Sequence, residues 1–252
     1  MSIHPDDIKR VKGQGFLNNK GTDCFNARIL TTNGNLSTDQ IRAIAEAADT
    51  FGNGRVQFTS RMTVELPGIP YDKIEAFQAH LGEHGLYTGG TGTRVRPVVP
   101  CKGTVCIHGL IDTQALAREI HEVYYKGWYD VKLPHKFKIG IGGCPNNCIK
   151  PGLNDFGIMG HPKGHRVMVG GIWGKRQRMA TMLEGVFTKE EVMSLIEKTL
   201  LIFREQGYAG ERLGLMIERI GEENFVEMLL SDDILARKEA ILNDPALPQA
   251  KP

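Results

Sequence analysis

Cys101 and Cys106 bracket the run CKGTVC, and Cys144 and Cys148 bracket CPNNC, each pair flanked by glycine or proline that lets the backbone turn around a bulky core. Four thiolates are the ligand count of a [4Fe–4S] cluster. Structural zinc is the first rival, but its knuckles commonly put two residues between paired cysteines, and neither pair does so. Buried, unliganded thiols are the plainer alternative, since free cysteine packs well in cores. Two close pairs beside Gly-Gly make that coincidence a poor account. Cys24 stands alone in a strand-like run and is read as structural.

The second group with chemistry is cationic. Lys136 and Lys138 share one strand face by the period of two, and a buried lysine has a lowered pKa that suits it to give up a proton. Arg94 and Arg96, and Lys175, Arg176 and Arg178, form further clusters. A solvated basic face is the ordinary reading of any one of them. With a net charge of only +2 and no long basic tract, nucleic acid is not expected as a partner. His108, His135, His161 and His165 are alternative axial ligands or proton donors, and more plainly polar surface residues.

The chain has 252 residues, 41% apolar and 24% charged, the profile of an ordinary globular protein. No apolar run approaches the roughly 20 residues that span a bilayer, and MSIHPDDIKRVKGQG is too polar for a secretory leader. A cytoplasmic location is therefore expected, without membrane attachment. Reduced thiols in that compartment argue against a disulfide scaffold.

Several elements must position these groups. Residues 1–22 show little periodicity and read as an irregular arm. FNARILTT (25–32) reads as a strand, followed by a helix over IRAIAEAADTFG with Ser37 or Thr38 as its cap. RVQFTSRMTVELPGI (55–69) reads as one strand, and YDKIEAFQAHLGEHG as a second amphipathic helix. The glycine-rich TGGTGTRVRP (88–97) has the composition of a linker. Beyond it, DTQALAREIHEVYYK is helical in pattern, KFKIGIGG (136–143) and RVMVGGIWG (166–174) are strand-like, and YYKGWYDVKLPHK with Trp128 and Tyr129 reads as a loop or as core. TKEEVMSLIEKTLLIFREQG opens with a Thr-x-x-Glu capping box, and helices continue through ERLGLMIERIG and ENFVEMLL.

Lys136-Phe137-Lys138 leading into GGCPNNCIKPGLNDFGIMG resembles the cluster-binding segment of sulfite and nitrite reductases, and RVRPVVPCKGTVCIHG resembles their first cysteine segment. ARILTTNGNLSTDQ, FTSRMTVELPGI and HLGEHGL are similar to the half that precedes it, so the resemblance spans roughly residues 20–220. The first pair has four intervening residues where the commoner family pattern has five. The resemblance implies an α+β fold: a ferredoxin-like half-domain layer (23–92), then a mixed α/β siroheme and [4Fe–4S]-binding domain (93–207), and C-terminal helices (208–252).

The same resemblance implies that Cys101, Cys106, Cys144 and Cys148 hold the cluster, with Cys148 also bridging to siroheme iron. Arg28, Arg96, Lys136 and Lys138 would face the substrate, with Arg94 able to replace Arg96. Thr59, Arg61 and Asn146 would hold the tetrapyrrole. The implied reaction is reduction of a small oxyanion, sulfite to sulfide or alternatively nitrite to ammonia. Electrons would come from an external donor such as a ferredoxin, because no flavin or nucleotide fingerprint is present. Only one copy of a unit that is often tandem is found, so a homodimer is expected. A non-catalytic [4Fe–4S] electron carrier is the alternative of another class.

Overall fold

A computed structural model describes residues 3–251, which divide into two compact units between Gly92 and Thr93.

The first unit carries an antiparallel sheet in the order β1-β2-β4-β3, with β1 at Phe16–Asn18, β2 at Cys24–Ile29, β3 at Gln57–Phe58 and β4 at Val64–Pro70. Along β2 the side chains alternate, as a sheet with one covered face requires. Phe25, Ala27 and Ile29 enter the core, while Cys24, Asn26 and Arg28 take the other face. Helices α2 (Thr38–Phe51) and α3 (Ile74–Glu83) contribute Ile44, Ala47, Phe77 and Leu81 to that core. The Ser37 hydroxyl accepts from the Gln40 amide, and the Gln40 side chain accepts from the Ser37 amide, closing a capping box.

Three local expectations change here. The N-terminal segment is ordered, with α1 over Pro5–Gly13 and β1 after it, because Pro5 opens the helix, Asp6 and Asp7 lie in its first turn, and Val11 is buried. The run 55–69 is a hairpin: β3 and β4 are joined by a tight turn in which Met62 takes φ +57. The linker-like stretch is partly sheet. Thr88 bridges Ile29, and the Gly89 amide donates to the Arg28 carbonyl.

The second unit holds a sheet in the order β5-β6-β7-β8-β9, formed by Val99–Pro100, Ile139–Gly142, Phe156–His161, Gly164–Val169 and Thr181–Met182. The first three strands are parallel and the last three antiparallel. Parallel neighbours need a crossover of about a dozen residues or more. Between β5 and β6 the crossover carries α4 (Thr113–Ile120), capped by Asp112 accepting from the Gln114 and Ala115 amides, and a π-helical turn at His121–Lys126. Trp128, beyond that turn, is buried. Helix α5 (Lys189–Gln206) carries buried Ile196, Leu200 and Phe203 along its length, and its capping box pairs Thr188 with Glu191. The unit continues through α6 (Leu213–Ile220), α7 (Glu222–Leu230), α8 (Asp233–Ala236) and α9 (Lys238–Asn243).

Candidate functional site

Both cysteine pairs leave the carboxyl ends of neighbouring parallel strands, where open α/β sheets place their ligands. Cys101 directly follows β5 and Cys144 lies two residues beyond β6. Backbone bonds bind the two loops together: the Cys101 amide donates to the Ile141 carbonyl, and the Leu110 amide to that of Gly143. The Cys101 Sγ itself accepts from the Gly143 amide at 3.1 Å.

Glycine makes this approach possible. A Cβ on Gly143 would stand 2.9 Å from Gly103 Cα and 3.3 Å from Cys101 Sγ, and one on Gly103 would stand 3.0 Å from Gly143 Cα. No disulfide forms among the five cysteines. Among the described residues, no three of the four sulfurs come within 4.8 Å of one another, whereas tetrahedral zinc with Zn–S near 2.3 Å would bring them to roughly 3.8 Å. Cys148 is the cysteine most open to solvent.

The cationic face is built on the entry to the same strand. Val95 bridges Phe137 in parallel register, and both are buried, so their neighbours Arg94, Arg96, Lys136 and Lys138 share the opposite face. The Arg94 guanidinium lies 4.0 Å from the centroid of the Tyr129 ring. The field of the rest is concentrated. Burial lowers the Lys136 ammonium, and Arg212 and Arg96 lower it further, while Asp155 opposes them. His135 is pushed down to about 4, first by burial and then by Lys136, Arg212, Arg96 and Lys138. Its Nδ1 accepts from the Lys136 amide at 2.7 Å, so the neutral ring carries its proton on Nε2.

Asp155 and Arg212 carry roles the sequence did not single out. Asp155 is fully enclosed, accepts the Arg212 fork at 2.8 Å on each carboxylate oxygen, and accepts the Lys138 amide at 2.9 Å. Burial raises this carboxyl, and Arg212 and the amide oppose the rise. A lone acid preceding the apolar run FGIMG is the available signal, because a buried carboxylate demands a partner. Nothing periodic identifies that partner as Arg212.

The first unit holds Arg28, Thr59 and Arg61. Arg28 sits opposite Glu65 in register, donates Nε and Nη2 to Glu65 Oε1 at 2.8 and 2.6 Å, and donates Nη1 to the Gly90 carbonyl at 2.9 Å. Its charge is thus already matched by a carboxylate. The Thr59 hydroxyl accepts from the Arg61 and Thr63 amides, shaping the turn that presents Arg61. Cys24 lies partly exposed on β2. Asn146 is exposed between Cys144 and Cys148, and Asn147 beside it adopts φ +56. His161 Nδ1 accepts the Lys163 amide, His165 contacts the Phe187 carbonyl, and His108 is exposed.

Two cysteine pairs at the carboxyl ends of the parallel strands β5 and β6, with four basic residues on the segments that lead into them, are the layout of an iron–sulfur domain. Residues 91–234 match the model for the nitrite and sulphite reductase 4Fe-4S domain, and residues 18–84 match that for the nitrite/sulfite reductase ferredoxin-like half domain. The chain belongs to the nitrite and sulfite reductase family.

A coenzyme F420-dependent sulfite reductase of Methanocaldococcus jannaschii is 38% identical over 50% of this chain and 20% of its own length. An NAD(P)H nitrite reductase of Bacillus subtilis is 29% identical over 83% of this chain and 24% of its own length. The chain thus spans about a quarter or less of these two relatives. Among solved structures, the Mycobacterium tuberculosis NirA protein shares the fold with a TM-score of 0.81 and 22% identity, covering 93% of this chain and 48% of that one. Among the described residues no helix is long and apolar enough to cross a membrane.

Proposed function

We propose that this chain reduces a small oxyanion, sulfite foremost, with electrons passed through a [4Fe–4S] cluster to siroheme. The observation that carries the reading is the placement of both cysteine pairs just beyond the ends of β5 and β6, with Arg96, Lys136 and Lys138 on the segments that lead into those strands. The donor set suits a cube of iron and sulfide, and the cationic face suits both the carboxylates of siroheme and an anionic substrate. When bound, the cluster would supply single electrons and siroheme would supply the redox chemistry of its iron.

The protein's own part is electrostatic and protonic. Lys136 and Lys138 stabilise negative charge as S–O bonds break. Burial and the neighbouring arginines ease proton release from Lys136, and the neutral His135 offers Nε2–H as a second donor. Cys148, the most exposed of the four, is the sulfur proposed to serve both cofactors.

Nitrite is the second reading, favoured by the nitrite reductases among the relatives. One relative is named a ferredoxin–nitrite reductase, and a small electron-carrying protein is the donor proposed here. The test is an anaerobic preparation of the chain and of Lys136→Ala, scored by iron and labile sulfide content, absorption spectrum, and kcat/KM for sulfite and nitrite. Lys136→Ala should keep its cofactors and lose about 100-fold in kcat/KM, the range for removing one preorganised charge-stabilising donor. A spectrum with cluster absorption but no tetrapyrrole bands selects the non-catalytic carrier, and parental rates in the lysine variant refute the anion pocket.

A further inference from the structure

At the end of α3, His80, Glu83 and His84 each offer a ligand atom within 4.8 Å of the other two. None of them belongs to the cysteine or cationic groups described above. We propose that these three side chains form a separate site for one divalent transition-metal ion of the zinc or nickel kind.

The spacing supplies the first argument. Residues four apart lie on the same helical face, and the two imidazole centroids are 5.3 Å from each other. The state of His80 supplies the second. Its Nε2 lies 3.2 Å from the Ala43 carbonyl oxygen, and a carbonyl only accepts, so Nε2 carries the proton and the free lone pair is on Nδ1. Ligating histidines characteristically donate their other ring nitrogen in this way, which fixes tautomer and orientation. Phe51 packs against the same ring at 5.8 Å between centroids.

The third argument is the field. His84 terminates α3, where the carbonyl end of the helix favours a cation. The Gln40 side chain donates to the His84 carbonyl at 3.3 Å, tying this terminus to the start of α2. Two imidazoles and one carboxylate suit zinc, nickel or copper rather than magnesium or calcium, whose sites are built from oxygen. Three protein ligands leave further positions to water, so the ion is exchangeable. The chain then runs from Gly85 to Tyr87 and Gly90, whose carbonyls accept from the Leu30 amide and from Arg28. An ion here therefore clamps the helix end just before the segment that holds Arg28.

The test is a calorimetric titration of untagged, cluster-loaded chain with Ni2+, beside His84→Ala and Glu83→Gln. Both substituted residues are exposed, and iron content and melting temperature verify that the variants are folded and loaded. One equivalent should bind, His84→Ala should weaken it by about tenfold or more, and Glu83→Gln by a smaller factor. Histidine ring resonances should broaden at two residues in the parent and not in His84→Ala. Absence of saturable binding to the parent, or a loss of less than about tenfold in His84→Ala, overturns the site.

Discussion

Replacing Arg212 by methionine tests whether the Asp155–Arg212 pair holds the cationic strand in place. Asp155 has no exposed side-chain surface, and Arg212 keeps 11% of its own. Without the guanidinium, the carboxylate retains the Lys138 amide as its donor at 2.9 Å. Breaking a buried ion pair by removing one partner costs about 3–5 kcal/mol. Protonation, which burial already favours, relieves part of that cost. In a unit of this size each kcal/mol moves the melting temperature by roughly 2–4 °C, so a fall of about 10 °C is expected for Arg212→Met. The double variant Asp155→Asn/Arg212→Met keeps an oxygen for the Lys138 amide and removes the stranded charge, so it should melt above Arg212→Met alone. Thermal melts of the cofactor-loaded proteins, followed by circular dichroism, measure both. A single variant within about 2 °C of the parent, or a double variant whose losses merely add, refutes the reasoning.

Gly143→Ala should empty the cluster site, because its new Cβ meets backbone at 2.9 Å and the Cys101 sulfur at 3.3 Å. Iron per chain should fall by more than about half, while Gly174→Ala, with nothing within 4 Å of its Cβ, should keep parental iron; equal iron in both contradicts the role given to glycine. His135 predicts a pH effect on stability. Its ring is neutral when folded and binds a proton on unfolding as pH falls from 6.5 towards 4, so stability present above pH 6.5 is lost across that window. The loss is about 3 kcal/mol before screening and roughly half that for a ring partly open to solvent. Denaturant titrations of the parent and His135→Gln at pH 7.5 and 4.5 should show a smaller drop in the variant, and equal drops count against a depressed His135.

The cysteine pairs, the helices α2, α3 and α5, and the capping box of α5 were legible because each rests on local spacing. The Thr-x-x-Glu of α5 is complete within four residues. What was not legible depends on distant partners. Residues 3–22 are ordered partly because Val11 and Phe16 join a core whose other buried members lie between residues 25 and 86. Arg28 reads from the resemblance as a substrate ligand, yet its partner Glu65 is set by strand register, which sequence alone does not fix. The same holds for Arg94, whose partner Tyr129 lies in a segment without clear periodicity.

The segment KFKIGIGGC joins the two halves of the site by alternation alone. Its odd positions, Phe137, Ile139 and Ile141, are fully buried in the sheet's core. Its even positions run Lys136, Lys138, Gly140 and Gly142, and Cys144 follows in the bend beyond the strand. The glycines leave that face without side chains, and the turn after Cys148 occupies it: a Cβ on Gly140 would stand 2.6 Å from the Asn154 side-chain nitrogen Nδ2, and one on Gly142 would meet the Pro151 ring at 3.5 Å. The crossover that parallel pairing of β6 and β7 demands is thereby folded back against the strand, carrying the chain from the Cys144–Cys148 loop to the start of β7. From Lys138 to Cys144 an extended strand spans at most about 20 Å. The lysines that precede β6 and the cysteine that follows it are thus held within one short stretch of chain, with the buried Phe137, Ile139 and Ile141 fixing the face on which Lys136 and Lys138 stand.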